Sequence, residues 1–289
     1  MPLTARRQPR HFLRYTGTVV LGGVITLWSL LPVYNMFMIA LDPSGHDEFS
    51  GAVFPSHPTL RPLLAVVAGT AGDVRGIWHE FGNSILVGLA VVAVTIMIGS
   101  PAAFAIGRMR ARWRTIMIFA SLAVYTVPIS TLAIPLGRIM QGYGLSNTLW
   151  AVIVGELALT TPAAVVMLVY AERLVPRELY EAARIDGASA VYLYRRIYLP
   201  LTTPALAIIS LYSLLFSWND YYYQSMLVIA PRDATVAVVL GTAISEKFTS
   251  WNYMMAVGIL YSVLPIAAFL ALRWYMVPRP TTGPAPGHA

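Results

Sequence analysis

Charge is scarce in this 289-residue chain. Asp, Glu, Lys and Arg together make up 11% of it, less than half of the roughly 25% usual in a soluble globular domain. Cysteine is absent, which excludes disulfides and thiolate-bound metal centres. Lysine occurs once, as Lys247 after Glu246, so no G-x-x-x-x-G-K-[ST] phosphate loop exists; the chain has no nucleotide-hydrolysing site of that class. His11, His46, His57, His79 and His288 lie in polar segments with no paired carboxylate pattern, which gives no basis for a metal or acid–base centre.

What fills the space is apolar: 57% of the residues are hydrophobic. Asn83 to Gly107, Thr115 to Gly137, Ile197 to Asn219 and Phe248 to Leu272 contain no Asp, Glu, Lys, Arg or His. Each exceeds the roughly 20 apolar residues needed to cross a bilayer. Two further spans run from about Thr16 to Leu41 and from about Thr148 to Ala171, the latter carrying only Glu156. Backbone polar groups in lipid must be satisfied within the segment, so continuous runs of this length imply helices. The expected fold is all-α, a polytopic membrane protein with six transmembrane helices.

The basic residues orient the spans. Fifteen of the 20 Arg and Lys fall before the first span, between the second and third, between the fourth and fifth, or after the sixth. The opposite side holds Arg61, Arg75, Arg138, Arg232 and Lys247. Positive residues accumulate in the cytoplasm, so both termini are expected inside. The net charge of +7 reflects that topology, not a nucleic-acid footprint. Arg6, Arg7, Arg10 and Arg14 precede an apolar run longer than the 7–15 residues of a signal peptide, so an uncleaved first helix is expected. Residues 1–15 form a cytoplasmic segment, 16–277 the membrane domain, and 278–289, rich in proline and glycine, a tail expected to be disordered.

The longest cytoplasmic loop, 172–200, concentrates charge in EAARIDGASAVYLYRRIYLPLTTP, residues 181–204. Pro176 suits the first turn of a helix over about Arg177 to Ile185. Gly187 can take the positive φ that ends it, and a second short helix from about Ala188 to Tyr198 leads to Pro200. Charges keep this segment out of the bilayer, and the paired alanines give a low-relief surface suited to another protein's groove. From the residues alone, an amphipathic segment lying on lipid headgroups is an equal alternative.

Glu181-Ala182-Ala183, Gly187 and Ile197-x-Leu199-Pro200 match EAA-x3-G-x9-I-x-L-P, the EAA motif of ABC importer permeases, at every fixed position. Asn83-Ser84 opening a helix, Asp186 before the glycine, and Trp218-Asn219 closing the fifth helix resemble the maltose-type carbohydrate branch. The resemblance runs from about Asn83 to Trp274. It implies that the loop is a coupling helix seated in a cleft of a cytoplasmic ATPase, with Glu181, Ala182, Ala183, Asp186, Gly187, Ala188, Ile197, Leu199 and Pro200 carrying the contact. It further implies a second homologous permease, an ATPase dimer holding ATP and Mg, and an extracytoplasmic solute-binding protein. No cofactor is expected on this chain itself. The C-terminal Gly-Pro-Ala-Pro-Gly-His-Ala departs from the family's usual Gly-Ala-Val-Lys-Gly-like ending, so no ATPase contact is carried over to it.

Two membrane features have double readings. Glu156 either lines the translocation path or pairs structurally with another helix, since an intramembrane carboxylate needs a cavity or a polar partner. Trp218, Asn219 and Asp220, within SWNDYYYQS, either meet solute or belong to an interfacial aromatic belt. Two rivals to an ATP-driven importer of a carbohydrate or similar polyhydroxylated solute are a proton-coupled secondary transporter using Glu156 and a membrane scaffold. The first does not account for the coupling motif; the second would use the loop only for docking, and solute-stimulated ATP hydrolysis in the complex would reject it.

Overall fold

A computed structural model of the chain describes residues 9–43, 54–55, 57–71, 76–173, 175–246 and 250–276. The tail at 278–289 and most of segment 1–15 lie outside the described residues. The described residues contain helices and no strand: α1 (Pro9–Ala40), α2 (Arg61–Val67), α3 (Ile77–Gly107), α4 (Ala111–Ala123), α5 (Ile129–Gly142), α6 (Leu149–Glu172), α7 (Arg177–Ile185), α8 (Ala190–Tyr192), α9 (Leu199–Leu201), α10 (Thr203–Asn219), α11 (Tyr222–Leu227), α12 (Val236–Glu246) and α13 (Trp251–Met276). Within α1, Gly17–Ala40 is long and apolar enough to cross a membrane, as are α3, α6 and α13. Two bent pairs bring the spans to six, one running from Ala111 to Gly142 and the other from Ala190 to Asn219.

The third and fifth spans are each a bent pair of helices, not one continuous helix. α4 and α5 meet at 96°. Val127 is extended there, with φ −94° and ψ 129°, because the ring of the following proline disfavours helical backbone in the residue before it. Pro128 then caps α5. Hydropathy averages across this corner and cannot register it. The fifth span bends by 75° between residues 201 and 203, where prolines 200 and 204 remove backbone donors. Hydroxyls bond around the bend, Thr202 Oγ1 to the Tyr198 carbonyl (2.7 Å) and Thr203 Oγ1 to that of Leu199 (3.0 Å). Asn83 and Ser84 likewise do not open their helix, since α3 begins at Ile77.

The chain divides into two compact units, residues 1–75 with 246–260, and residues 76–245 with 261–289. In the first, the Asn252 amide donates to the Asp42 carbonyl (3.0 Å) and the Thr59 N–H to that of Leu41 (2.8 Å). Gly258 lets α13 pass close to Met36, whose sulfur lies 3.4 Å from where a Cβ would stand.

The second unit is built on α3 and α6, against which α4, α5, α10 and α11 pack. Without a hydrophobic drive between helices in lipid, close packing of small residues and buried hydrogen bonds hold such pairs. Gly99 faces Ala164, and a Cβ on Gly99 would sit 3.2 Å from the alanine methyl. One turn away, the buried hydroxyls of Thr95 and Thr160 bond at 2.8 Å. Val87, Val91, Ile153, Leu159 and Tyr223 form one core on one side of this crossing. Ala103, Ile118, Leu168 and Ile209 form another on the other side.

Replacing Gly99 by leucine should overpack this crossing and cost about 1–3 kcal/mol. A lower melting temperature of the purified protein is expected; an unchanged one would show that the two helices can part there freely.

Candidate functional site

α7 ends as a Schellman motif. Gly187 has φ +80°, its N–H donates to the Arg184 carbonyl (3.0 Å), and the Ala188 N–H donates to that of Ala183 (2.9 Å). This pairing satisfies helix-end carbonyls and needs left-handed backbone at the turn, where glycine carries no Cβ penalty. Ser189 then caps the next segment by accepting from the Tyr192 N–H (3.2 Å). α8 starts at Ala190 instead of Ala188 and continues as a π-helical turn, Leu193–Tyr198, into α9.

α7 has no buried residue. Glu181, Ala182, Asp186 and Gly187 are exposed, while Ala183, Ala188, Ile197 and Leu199 are half-buried; Pro200 is exposed. Ile185 stands 87% exposed at the tip of the loop. Ala183, Gly187 and Ala188 floor a groove of about 510 Å³ whose walls include Tyr192, Arg196 and Ile197. The loop thus brings Ala183, Asp186, Gly187, Ala188 and Ile197 together around an open, low-relief groove, while Glu181, Ala182, Leu199 and Pro200 lie outside its lining.

One arginine ties this loop to the bundle. Arg108, just past α3, donates to Glu172 Oε1 at the end of α6 (2.8 Å) and to the Phe104 carbonyl (2.7 Å). Its guanidinium lies 3.3 Å from the Phe104 ring centre and 4.4 Å from that of Tyr180 on α7. Cation–π contacts of this kind gain strength where water is excluded, and burial pushes the Tyr180 hydroxyl pKa up. Phe104 also meets Tyr194 and Tyr198 edge-on at 5.2 and 5.1 Å, and the Tyr194 hydroxyl donates to Ser100 (3.0 Å). Gly107 makes the approach possible, since a Cβ there would overlap the Glu172 carboxylate at 1.7 Å. Sequence reading missed this hub because charges at the ends of spans look like topology signals alone.

A second polar cluster lies inside the bundle. Glu156 is fully buried, and the Gln224 amide donates to its Oε1 (3.0 Å) and to the Ser217 carbonyl (2.9 Å). The Thr235 hydroxyl donates to Gln224 Oε1. Asp220 stands close enough to interact with Glu156, and its Oδ1 accepts from the Tyr223 N–H (3.4 Å). Trp218 is 2% exposed. Its ring stacks on Tyr261 at 4.3 Å, its N–H donates to the Tyr261 carbonyl (3.0 Å), and the Tyr261 hydroxyl donates to the Trp218 carbonyl (2.6 Å). Of the four membrane residues singled out from sequence, only Asn219 is exposed. Asn83 donates to the carbonyls of Arg232 (3.1 Å) and Ala234 (2.8 Å), and Ser84 accepts from the Val236 N–H that opens α12 (3.0 Å). The Asn-Ser pair therefore staples the 232–236 segment to α3. Gln224, which joins the cluster, offered no signal beyond being a polar residue in a tyrosine-rich stretch.

A family model for the "Binding-protein-dependent transport system inner membrane component" matches residues 95–281. The chain belongs to this family. It is a membrane transport permease, not an enzyme. Among its relatives, the "Inner membrane ABC transporter permease protein YcjP" of Escherichia coli is 30% identical over 254 residues, covering 86% of this chain and 89% of that protein. The "Trehalose transport system permease protein SugB" of Mycobacterium tuberculosis is 26% identical over 260 residues, covering 90% and 93%. Among solved structures, a chain of a bacterial ABC transporter "involved in the import of the acidic polysaccharide alginate" superposes with a TM-score of 0.71. That match has 19% identity and covers 96% of this chain and all of that one. The superposition bears out the all-α permease fold. The family match covers the coupling loop and α6, α10 and α13 in full.

Glu156→Leu should remove the acceptor of the Gln224 amide and leave a buried donor unsatisfied, costing about 1–3 kcal/mol. Glu156→Gln keeps an acceptor oxygen and should melt close to the wild-type temperature. Equal melting of both variants and wild type would show that the bond contributes nothing.

Proposed function

We propose that this permease carries a carbohydrate or similarly polyhydroxylated solute inward, driven by ATP hydrolysed on a separate ATPase dimer that holds the ATP and Mg. The observation that carries the reading is the α7–α8 loop. It is a glycine-hinged, capped pair of helical segments with no buried residue on α7; it leaves Glu181 and Ala182 exposed and presents Ala183, Gly187 and Ile197 on an open groove. Such a surface fits a cleft on a cytoplasmic partner. The relative SugB is named for trehalose transport, which supports a sugar-like solute. The remaining partners in this reading are an extracytoplasmic solute-binding protein and a second homologous permease. The chain would lie in the bacterial inner membrane with both termini in the cytoplasm, as the arginine distribution favours.

The mechanism in this reading is alternating access. Closure of the ATPases around ATP moves α7, and the Arg108 hub passes that movement to the ends of α3 and α6 together. Glu181 meets a basic residue of the ATPase, Ala182, Ala183 and Ala188 allow close seating, and Asp186 and Gly187 form the turn. Ile197, Leu199 and Pro200 lead the chain back into the bilayer. In the membrane, exposed Asn219 faces the solute path, while Glu156, Trp218 and Asp220 hold it in place from behind.

Gly187→Val puts a β-branched residue at a positive φ, a strain of about 1–3 kcal/mol, confined to the loop because, its chain neighbours aside, no atom of the described residues lies within 4 Å of the missing Cβ. Six spans should still insert, but solute uptake in whole cells should collapse, with pull-down of the ATPase measured in parallel. Wild-type uptake by this variant would sink the coupling role. Uptake that survives ATP depletion but not loss of the proton gradient would sink the ATP-driven reading altogether.

Orientation has its own test. Reporters fused after Gly107 or Pro176 should read as cytoplasmic, and those after Gly51 or Thr242 as external. An external 172–200 loop would contradict the assignment.

A further inference from the structure

Beside the Arg108 hub, and separate from the groove between α7 and α8, lies a cavity of about 330 Å³. Arg108, Arg114, Arg173, Arg177 and Arg184 line it, against the carboxylates of Glu172 and Glu181. Positive side chains therefore exceed negative ones by three, and Arg108–Glu172 is the only salt bridge among the described residues. Three buried polar atoms on the lining, Arg108 Nη2, the Tyr180 hydroxyl oxygen and Glu172 Oε2, have no hydrogen-bond partner among the described residues; the first two can donate to an anion, and the carboxylate oxygen opposes one. A buried donor left unpaired costs free energy that an incoming acceptor recovers. Coupling to ATP leaves this charge excess and these two donors unexplained.

We propose that this cavity binds the phosphate of an anionic lipid headgroup. Guanidinium groups match phosphate oxygens in charge and in their forked donor geometry. The cavity sits where α3 and α6, both long enough to span a membrane, come to an end, which is the depth of the headgroups. Basic pockets between transmembrane helices on the arginine-rich side are suited to such headgroups. Its wall also includes apolar Met109, Val169 and Val175, which suit an acyl chain more than a freely soluble anion. Arg108 and Tyr180 belong to both the hub and the cavity. A bound phosphate would therefore brace α7 against the bundle.

The test uses the full-length protein purified in detergent, with native mass spectrometry of short-chain phosphatidylglycerol against phosphatidylcholine. Phosphatidylglycerol should bind at least tenfold more tightly. Each lining arginine near the headgroup is worth roughly fivefold in affinity, so Arg114→Gln with Arg177→Gln should weaken binding by roughly twentyfold or more. Arg138→Gln, which removes one positive charge from the opposite side, should leave it unchanged. Melting in phosphatidylcholine checks that the double variant is folded. If it is not, Arg177→Gln alone, at an exposed position on α7, should still lose about fivefold. Inorganic phosphate at millimolar concentration should compete with the lipid. Equal binding of the two lipids, or phosphatidylglycerol affinity indifferent to the arginine variants, would overturn the proposal. Saturable, arginine-dependent binding of inorganic phosphate with no preference for phosphatidylglycerol would overturn the lipid source and assign the site to a soluble phosphate.

Discussion

α3 and α6 meet where Gly99 faces Ala164 and Thr95 bonds Thr160, and both polar clusters are anchored to that crossing. Toward one end, α3 delivers Phe104 and Arg108 while α6 delivers Glu172, so the guanidinium finds its carboxylate only if the two helices keep this register. Toward the other end, α3 delivers Asn83 and Ser84 while α6 delivers Glu156. The axes approach because glycine and alanine keep the contact thin, and the threonine pair removes two hydroxyls from lipid by pairing them with each other. A bulky side chain at the crossing would therefore disturb two sites several helical turns apart.

The two clusters differ in how they are held. The Arg108 hub is charged, aromatic and beside α7, a helix with no buried residue, so its contacts to that helix can change without opening a core. The Glu156–Gln224–Thr235 chain is enclosed, and each link there stands between a neighbour and an unpaired polar group. A network of that kind rigidifies its surroundings. Rigid support under α10 and a looser attachment of α7 are what a moving loop joined to a defined membrane path requires. The bent third and fifth spans add to this, because a helix that turns at a proline can carry one half with the bundle and the other along the surface.

Much of this was legible in the residues. Runs without charge marked every span but the fourth, which carries Glu156, and Pro176 with Gly187 bounded α7 at Arg177–Ile185 as found. Glycine at a helix end is a local signal, and local signals survive folding. The 96° corner before Pro128 was not recovered, although Val127-Pro128 carried the cue, because the length of the apolar run outweighed a single backbone preference. Pairings such as Arg108 with Glu172, or Gln224 with Glu156, join positions 64 and 68 residues apart. No periodicity encodes such distances. They follow from which helices cross, and that depends on small residues whose significance appears only once a neighbour faces them.

Ile185 has a consequence for the life of the subunit before it works. An apolar side chain 87% exposed at the tip of a water-facing loop is tolerable in a finished complex and a liability in an unassembled one. Exposed apolar surface is what aggregation and quality control act on. In the proposed reading the ATPase covers this tip, so a copy made in excess of it would be handled as damaged and the stock of finished transporter would follow the scarcer partner.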